Sequence, residues 1–229
     1  MMASHAPRST YDAYRGRLET YFDRTARQNW VDLTSDAKVS GIRATVRAGR
    51  DRMRAMLLDW LPYDLTGKRI LDAGCGTGAL AVAAAQLGAE VVAIDISRGL
   101  VDVARERAPS GLSIDWRVGD MLDPALGHFD HVVAMDSLIH YETGDIVDVL
   151  AALADRASSI AFTFAPRTPL LAAMHATGKL FPKSDRAPAI VPVAEWKLQR
   201  LLAQRLPSHG IAASERIASG FYTSHAMML

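Results

Sequence analysis

Asp72-Ala73-Gly74-Cys75-Gly76-Thr77-Gly78 sets three glycines at alternate positions, with an acid two residues before the first. Glycine lets a backbone turn sharply and approach a ligand without a Cβ in the way. Two ligand classes use such a turn. Gly74-x-Gly76-x-x-Ala79 meets the permissive dinucleotide fingerprint, and Asp95 lies 21 residues beyond Gly74, the distance of an acid that accepts from a ribose hydroxyl. That reading implies NAD. Asp72 argues for the other class: its carboxylate suits a cationic ligand and repels a pyrophosphate, which prefers a helix amino terminus without competing anions. Cys75 is the single cysteine, so a disulfide framework and a Cys-cluster zinc site are both excluded. With no His partner placed by sequence, it reads as a small packing residue. His128 and His131 lack a third ligand and read as strand-entrance residues. His140 follows a strand, and such carboxyl-end loops are where α/β sheets bind ligands.

These residues need a sheet to hold them. Residues 69–164 alternate strand-like and helix-like segments, the pattern of a parallel sheet covered on both faces. Strands are expected at 69–72, 90–96, 113–118, 131–135 and 159–164. Helices are expected at 77–87, stopped by Gly88, at 98–107, capped by Ser97, and at 145–154. A helix at 195–206 follows, and then a closing antiparallel hairpin, 211–217 and 221–227, joined at Ser219-Gly220.

The flanks differ in kind. Tyr11, Tyr14, Leu18, Tyr21 and Phe22 fall at helical spacing, and Tyr11, Tyr14, Tyr21 and Phe22 read as core-facing aromatics; Ile42, Val46, Met53, Leu57 and Leu61 mark a later helix. Five prolines between 165 and 192 mark an insertion with one short apolar helix near 170–176, and a loop that long is usually functional or disordered. The expected organisation is a helical cap at 1–62, a Rossmann-like core at 63–165 and 192–229, and a substrate-covering insertion at 166–191.

The net charge of +1 hides a segregation: +4 over residues 1–60, −9 over 61–155 and +6 over 156–229. The acidic middle suits a cationic ligand and the basic flanks an anionic one. No basic run or nucleic-acid motif is present, so nucleic acid is not expected as a partner. No apolar run approaches the ~18 residues of a membrane span, and no apolar leader opens the chain. A cytoplasmic protein is expected.

The glycine turn with Asp72 and Gly78 resembles motif I, D/E-x-G-x-G-x-G, of the class I S-adenosylmethionine-dependent methyltransferases. Gly119-Asp120-Met121 resembles their position where an acid meets the adenine amino group and the next side chain covers the ring. Asp136 at the end of the fourth strand and the closing hairpin match them too. The resemblance implies a cofactor site of Asp72, Gly74, Cys75, Gly76, Gly78, Asp95, Ile96, Asp120, Met121 and Asp136, with S-adenosylmethionine as cosubstrate. Outside that core, Tyr21-Phe22-Asp23 with Trp30, VSGIRATVRAGRDRM (39–53), DSLIHY (136–141), FTFAPRTPLLAAMHATGKLFP (162–182) and Phe221-Tyr222-Thr223-Ser224 look like the magnesium-protoporphyrin IX O-methyltransferases of chlorophyll and bacteriochlorophyll synthesis. That resemblance covers nearly the whole chain. It implies methylation of one propionate of a magnesium porphyrin, with Tyr21 and His140 facing the acceptor carboxylate. Magnesium then arrives only as part of the substrate. It also implies contact with the large subunit of magnesium chelatase and with the photosynthetic membrane. The alternatives are a methyltransferase of another small carboxylate or hydroxyl acceptor, a non-catalytic S-adenosylmethionine-binding module, and an NAD-dependent enzyme.

Overall fold

The structure, a computed structural model, describes residues 9–21, 41–167 and 190–229. Its centre is a seven-stranded sheet: β1 (Arg69–Ala73), β2 (Glu90–Asp95), β3 (Ile114–Val118), β4 (Phe129–Ala134), β5 (Ala157–Phe164), β6 (Ala213–Ser219) and β7 (Tyr222–Met228), in the order β3-β2-β1-β4-β5-β7-β6. The first five strands pair in parallel, while β7 runs antiparallel between β5 and β6. Chain order reverses at β1, which pairs with β2 on one side and β4 on the other. Such a switch point opens a crevice at the carboxyl ends of the strands.

Alternation along β1 and β2 buries both faces of the sheet. Leu71, Ala73, Val92 and Ile94 belong to one apolar cluster, and Ile70, Val91 and Ala93 to the other. Helices α3 (Ala79–Gln86), α4 (Arg98–Arg107), α5 (Thr143–Ala154) and α6 (Glu195–Arg205) supply the covering layers. Alanines let α3 pack closely, with Leu80, Ala81, Ala84 and Ala85 buried. Ser97 caps α4 as expected, its side chain accepting from the Leu100 N–H at 3.3 Å. Among the described residues, α1 (Ser9–Tyr21) and α2 (Gly41–Asp59) come earlier in the chain.

Three expectations need correction. Helix α3 starts at Ala79 and not at Thr77, because its cap Gly78 is left-handed (φ 82°) and cannot continue a helix. The hairpin turns at Gly220-Phe221: Ser219 still pairs with Tyr222, and the strands start one to two residues later than expected. Ile42 is 55% exposed, so the buried face of α2 lies further along, at Gly49, Met53 and Leu57, and Leu61 falls beyond the end of the helix. Phe22, Trp30, the segment around 170–176 and most of the expected insertion lie outside the described residues. Pro166 and Val193 form a parallel bridge, so the residues that flank that segment lie side by side. Among the described residues no helix is long and apolar enough to cross a membrane.

Candidate active site

A cavity of about 350 Å³ opens at the switch point, walled by the turn after β1, the ends of β2 and β4, and one side of α2. The glycine turn is its floor. Gly74, Gly76 and Gly78 all have positive φ (86°, 54° and 82°). A Cβ on Gly74 would lie 2.3 Å from the Ser137 Cβ, and one on Gly78 would lie 2.4 Å from the Trp116 ring. Nothing comes within 4 Å of the Cβ position on Gly76. The outer glycines therefore serve packing, and the middle one faces open space. The Gly74 and Cys75 N–H groups both donate to the Ile94 carbonyl (2.8 and 3.0 Å). Asp95 completes the clamp, accepting from Gly76 N–H at 2.8 Å and Ser97 N–H at 2.9 Å.

Asp72 is 1% exposed, and its Oδ2 has no hydrogen-bond partner among the described residues although it lies in the cavity wall. Burial, with nearby Asp95 adding to it against a bond from the Ala81 N–H, pushes its pKa up to about 7. An orphaned buried carboxylate oxygen is costly, and a cationic group in the cavity would satisfy it. Burial, then the carboxylates of Asp72 and Asp95, raise the Cys75 thiol well above its ordinary value. Cys75 is thus no nucleophile. Ile96, Leu100 and Met121 give the cavity an apolar side suited to a flat ring.

The expected site residues do not all meet. Asp72, Gly74, Cys75, Gly76, Asp95, Ile96, Met121, Asp136 and His140 line one cavity. Gly78 lies beneath it against Trp116. Asp120 is turned to α1, accepting from Tyr11 Oη and Arg15 Nη1, both at 2.8 Å, and from Leu122 N–H. Asp136, left-handed at φ 55°, is a strut: it accepts from Arg50 (3.0 Å), Tyr222 (3.1 Å) and Ser224 (3.3 Å). It thereby ties α2 and β7 to the end of β4. Tyr21, half-buried at the end of α1, does not line the cavity; burial raises its hydroxyl pKa. His140, 8% exposed, does line it, beside Tyr141, whose ring stacks on Tyr11 at 5.1 Å. His131 bonds Ser159 at 2.7 Å, on the far side of the chemistry.

Sequence reasoning missed Arg47, Arg50 and Arg54, which line the cavity from α2. Their spacing, i, i+3 and i+7, was the available signal, since it puts all three on one helical face.

The parallel sheet with its antiparallel seventh strand, the glycine turn after β1 and the acid that ends β2 define a class I S-adenosylmethionine-dependent methyltransferase. A general methyltransferase domain model matches residues 70–158, and the magnesium-protoporphyrin IX methyltransferase C-terminus model matches residues 134–229. The magnesium-protoporphyrin O-methyltransferase of Rhodobacter capsulatus is 52% identical over 96% of this chain and 97% of its own. That of Synechocystis is 30% identical over 92% and 93%. A crystal structure of magnesium protoporphyrin IX methyltransferase from Synechocystis PCC 6803 with bound SAH superposes with a TM-score of 0.82 at 27% identity, covering 93% of this chain and 97% of that one. The chain belongs to the magnesium-protoporphyrin O-methyltransferase family.

Proposed function

We propose that this chain transfers the methyl group of S-adenosylmethionine to one propionate of magnesium protoporphyrin IX, giving the monomethyl ester. The observation that carries the reading is 52% identity to the Rhodobacter capsulatus enzyme along nearly the whole of both chains. The site agrees in its chemistry. Asp72 offers a buried carboxylate with one unpartnered oxygen to a cation, and the turn at Gly76 leaves room for a ligand.

When bound, S-adenosylmethionine supplies a methyl group activated on a positively charged sulfur. The turn of Gly74, Cys75 and Gly76, seated by Gly78 against Trp116, would hold it, with Asp72 on its cationic end. Asp95 accepts from the ribose hydroxyls, since a carboxylate has about four acceptor sites and two serve the turn. Ile96 and Met121 flank the adenine ring. Asp120 accepts from the adenine amino group, and α1 must then share or yield its hold on that carboxylate. Asp136 keeps α2 against the sheet.

A propionate has an ordinary carboxyl pKa of ~4 and is ionised near neutral pH, so no base is needed. The task of the protein is to align a carboxylate oxygen with the methyl group and to exclude water, and positioning of that kind supplies up to ~7–11 kcal/mol. His140 and the Tyr21 hydroxyl donate hydrogen bonds that aim the carboxylate. Tyr21 stays protonated for this, its pKa raised by burial. His140 already stands in the cavity, whereas Tyr21 reaches it only if the end of α1 moves inward. By the same family resemblance, the chain works in the cytoplasm, at the photosynthetic membrane surface and beside the chelatase large subunit.

Methyl transfer from S-adenosylmethionine to a panel of porphyrins, with and without magnesium, tests the activity. His140→Ala and Tyr21→Phe should each lower kcat, by about a hundredfold where alignment is lost, with cofactor affinity intact. His140→Asn, which keeps a donor, should recover part of the loss. Wild-type turnover in both single variants would remove these residues from the site.

A further inference from the structure

Arg43, Arg47, Arg50 and Arg54 fall at i, i+4, i+7 and i+11 along α2 and share one face of that helix. Three of them line the cavity. Buried Met53 and Leu57 occupy the neighbouring face, so core packing sets the direction in which the arginines point. Their commitments are unequal. Arg50 holds Asp136, whose side chain is 6% exposed. Arg54 touches Asp51 at 2.9 Å on the same helix, and with that acid 52% exposed the pair is weak and easily exchanged. Arg47 stands one turn before Arg50 on the same wall. From Arg47 to Arg54 the helix rises ~10 Å.

We propose that Arg47 and Arg54 anchor the substrate carboxylate that is not methylated, a reading that rests on the activity proposed above. A guanidinium presents two parallel N–H donors that match a carboxylate. Placed on the reacting carboxylate, that clamp would occupy the lone pairs that must attack the methyl group. Placed on the second propionate, it costs nothing in reactivity and fixes the macrocycle in register. Holding one propionate at α2 then decides which propionate reaches the floor of the cavity. The arginines are thus specificity residues, and the monoester product, which keeps its free carboxylate, stays anchored until it leaves. The amino-acid carboxylate of S-adenosylmethionine is another source of the same chemistry. A span of two helical turns is more than that one small group needs, and the test separates the two.

The substrates to compare are magnesium protoporphyrin IX and the analogue in which the non-reacting propionate is a primary amide. Binding to cofactor-free protein is read by the shift of the porphyrin absorption band, and turnover is read separately. The wild type should bind the diacid about ten- to a hundredfold more tightly than the amide, the range of a lost charge-assisted contact. In Arg47→Gln/Arg54→Gln that ratio should fall to about one, through weaker diacid binding alone. Arg52→Gln, an exposed position on the opposite face, removes a positive charge and should keep the ratio. Circular dichroism checks that the variants are folded, and calorimetry with S-adenosylhomocysteine should give unchanged affinity. A wild-type ratio of one, or a ratio that survives in the double variant, overturns the proposal. So does a tenfold loss of S-adenosylhomocysteine affinity, which assigns the arginines to the cofactor. A wild type that binds diacid porphyrin but methylates no porphyrin overturns the activity, and the ratio still judges the arginines.

Discussion

Asp72 carries most of the electrostatic tension in the site. Its carboxyl group is buried, one oxygen has no partner, and the neighbouring Asp95 discourages a second negative charge. The pKa in the folded chain, about 7, lies above its ordinary 3.8, so the folded state binds a proton that the unfolded chain has released. Stability from this group is therefore full below pH ~4 and is lost as pH rises through 7. Asp72→Asn removes that loss. Its melting temperature should gain on the wild type between pH ~4 and ~7, by the equivalent of at most about 4 kcal/mol for a shift of this size. A pH-independent difference between the two proteins would show that Asp72 is charged and satisfied in the empty site. A cationic cofactor supplies the missing partner, so its binding near neutral pH should release a proton.

Among the elements, α2 is where structure and chemistry meet. Gly49 lets the helix lie directly on Tyr222: a Cβ there would fall 2.5 Å from the Tyr222 ring and 2.9 Å from its Cβ. Burial and nearby Asp136 raise the Tyr222 hydroxyl pKa, so it stays a donor to that carboxylate. The contact at Gly49 thus sets the distance at which Arg50 meets Asp136. Alanine is the better helix former by ~1 kcal/mol, but overpacking costs ~1–3 kcal/mol, so Gly49→Ala should destabilise on balance. Thermal unfolding checks the sign. A higher melting temperature in Gly49→Ala would mean that α2 has room to move outward without loss.

Across the whole molecule, the uneven charge distribution matters more than its sum of +1. The acidic residues concentrate in the segment that builds the glycine-turn end of the cavity, and arginines of the first basic segment line its other wall. A dianionic porphyrin should be steered to that wall, and salt screens such steering beyond ~8 Å at physiological ionic strength. Stopped-flow association of magnesium porphyrin should slow several-fold between about 50 and about 300 mM salt. Binding of S-adenosylmethionine, which rests on buried groups, should change less. An association rate indifferent to salt would leave the charge segregation as surface solvation.

The architecture and the floor of the site follow from local pattern. Buried strands and helices announce themselves by period, and a left-handed turn with three glycines has few alternatives, so β1 to β5, their helices and the Gly74–Gly78 turn were legible before any coordinates. The resemblance carried the family as well. What tertiary structure decided was the direction of side chains whose partners are remote in sequence. Asp120 looks to Tyr11 and Arg15, more than a hundred residues away, and Asp136 to Arg50 and Tyr222. Periodicity places a residue on a face of its own element; only packing decides what that face meets. Hence Arg47, Arg50 and Arg54 could be counted as charge in the sequence, whereas their place opposite the glycine turn follows from Gly49 seating α2 on β7.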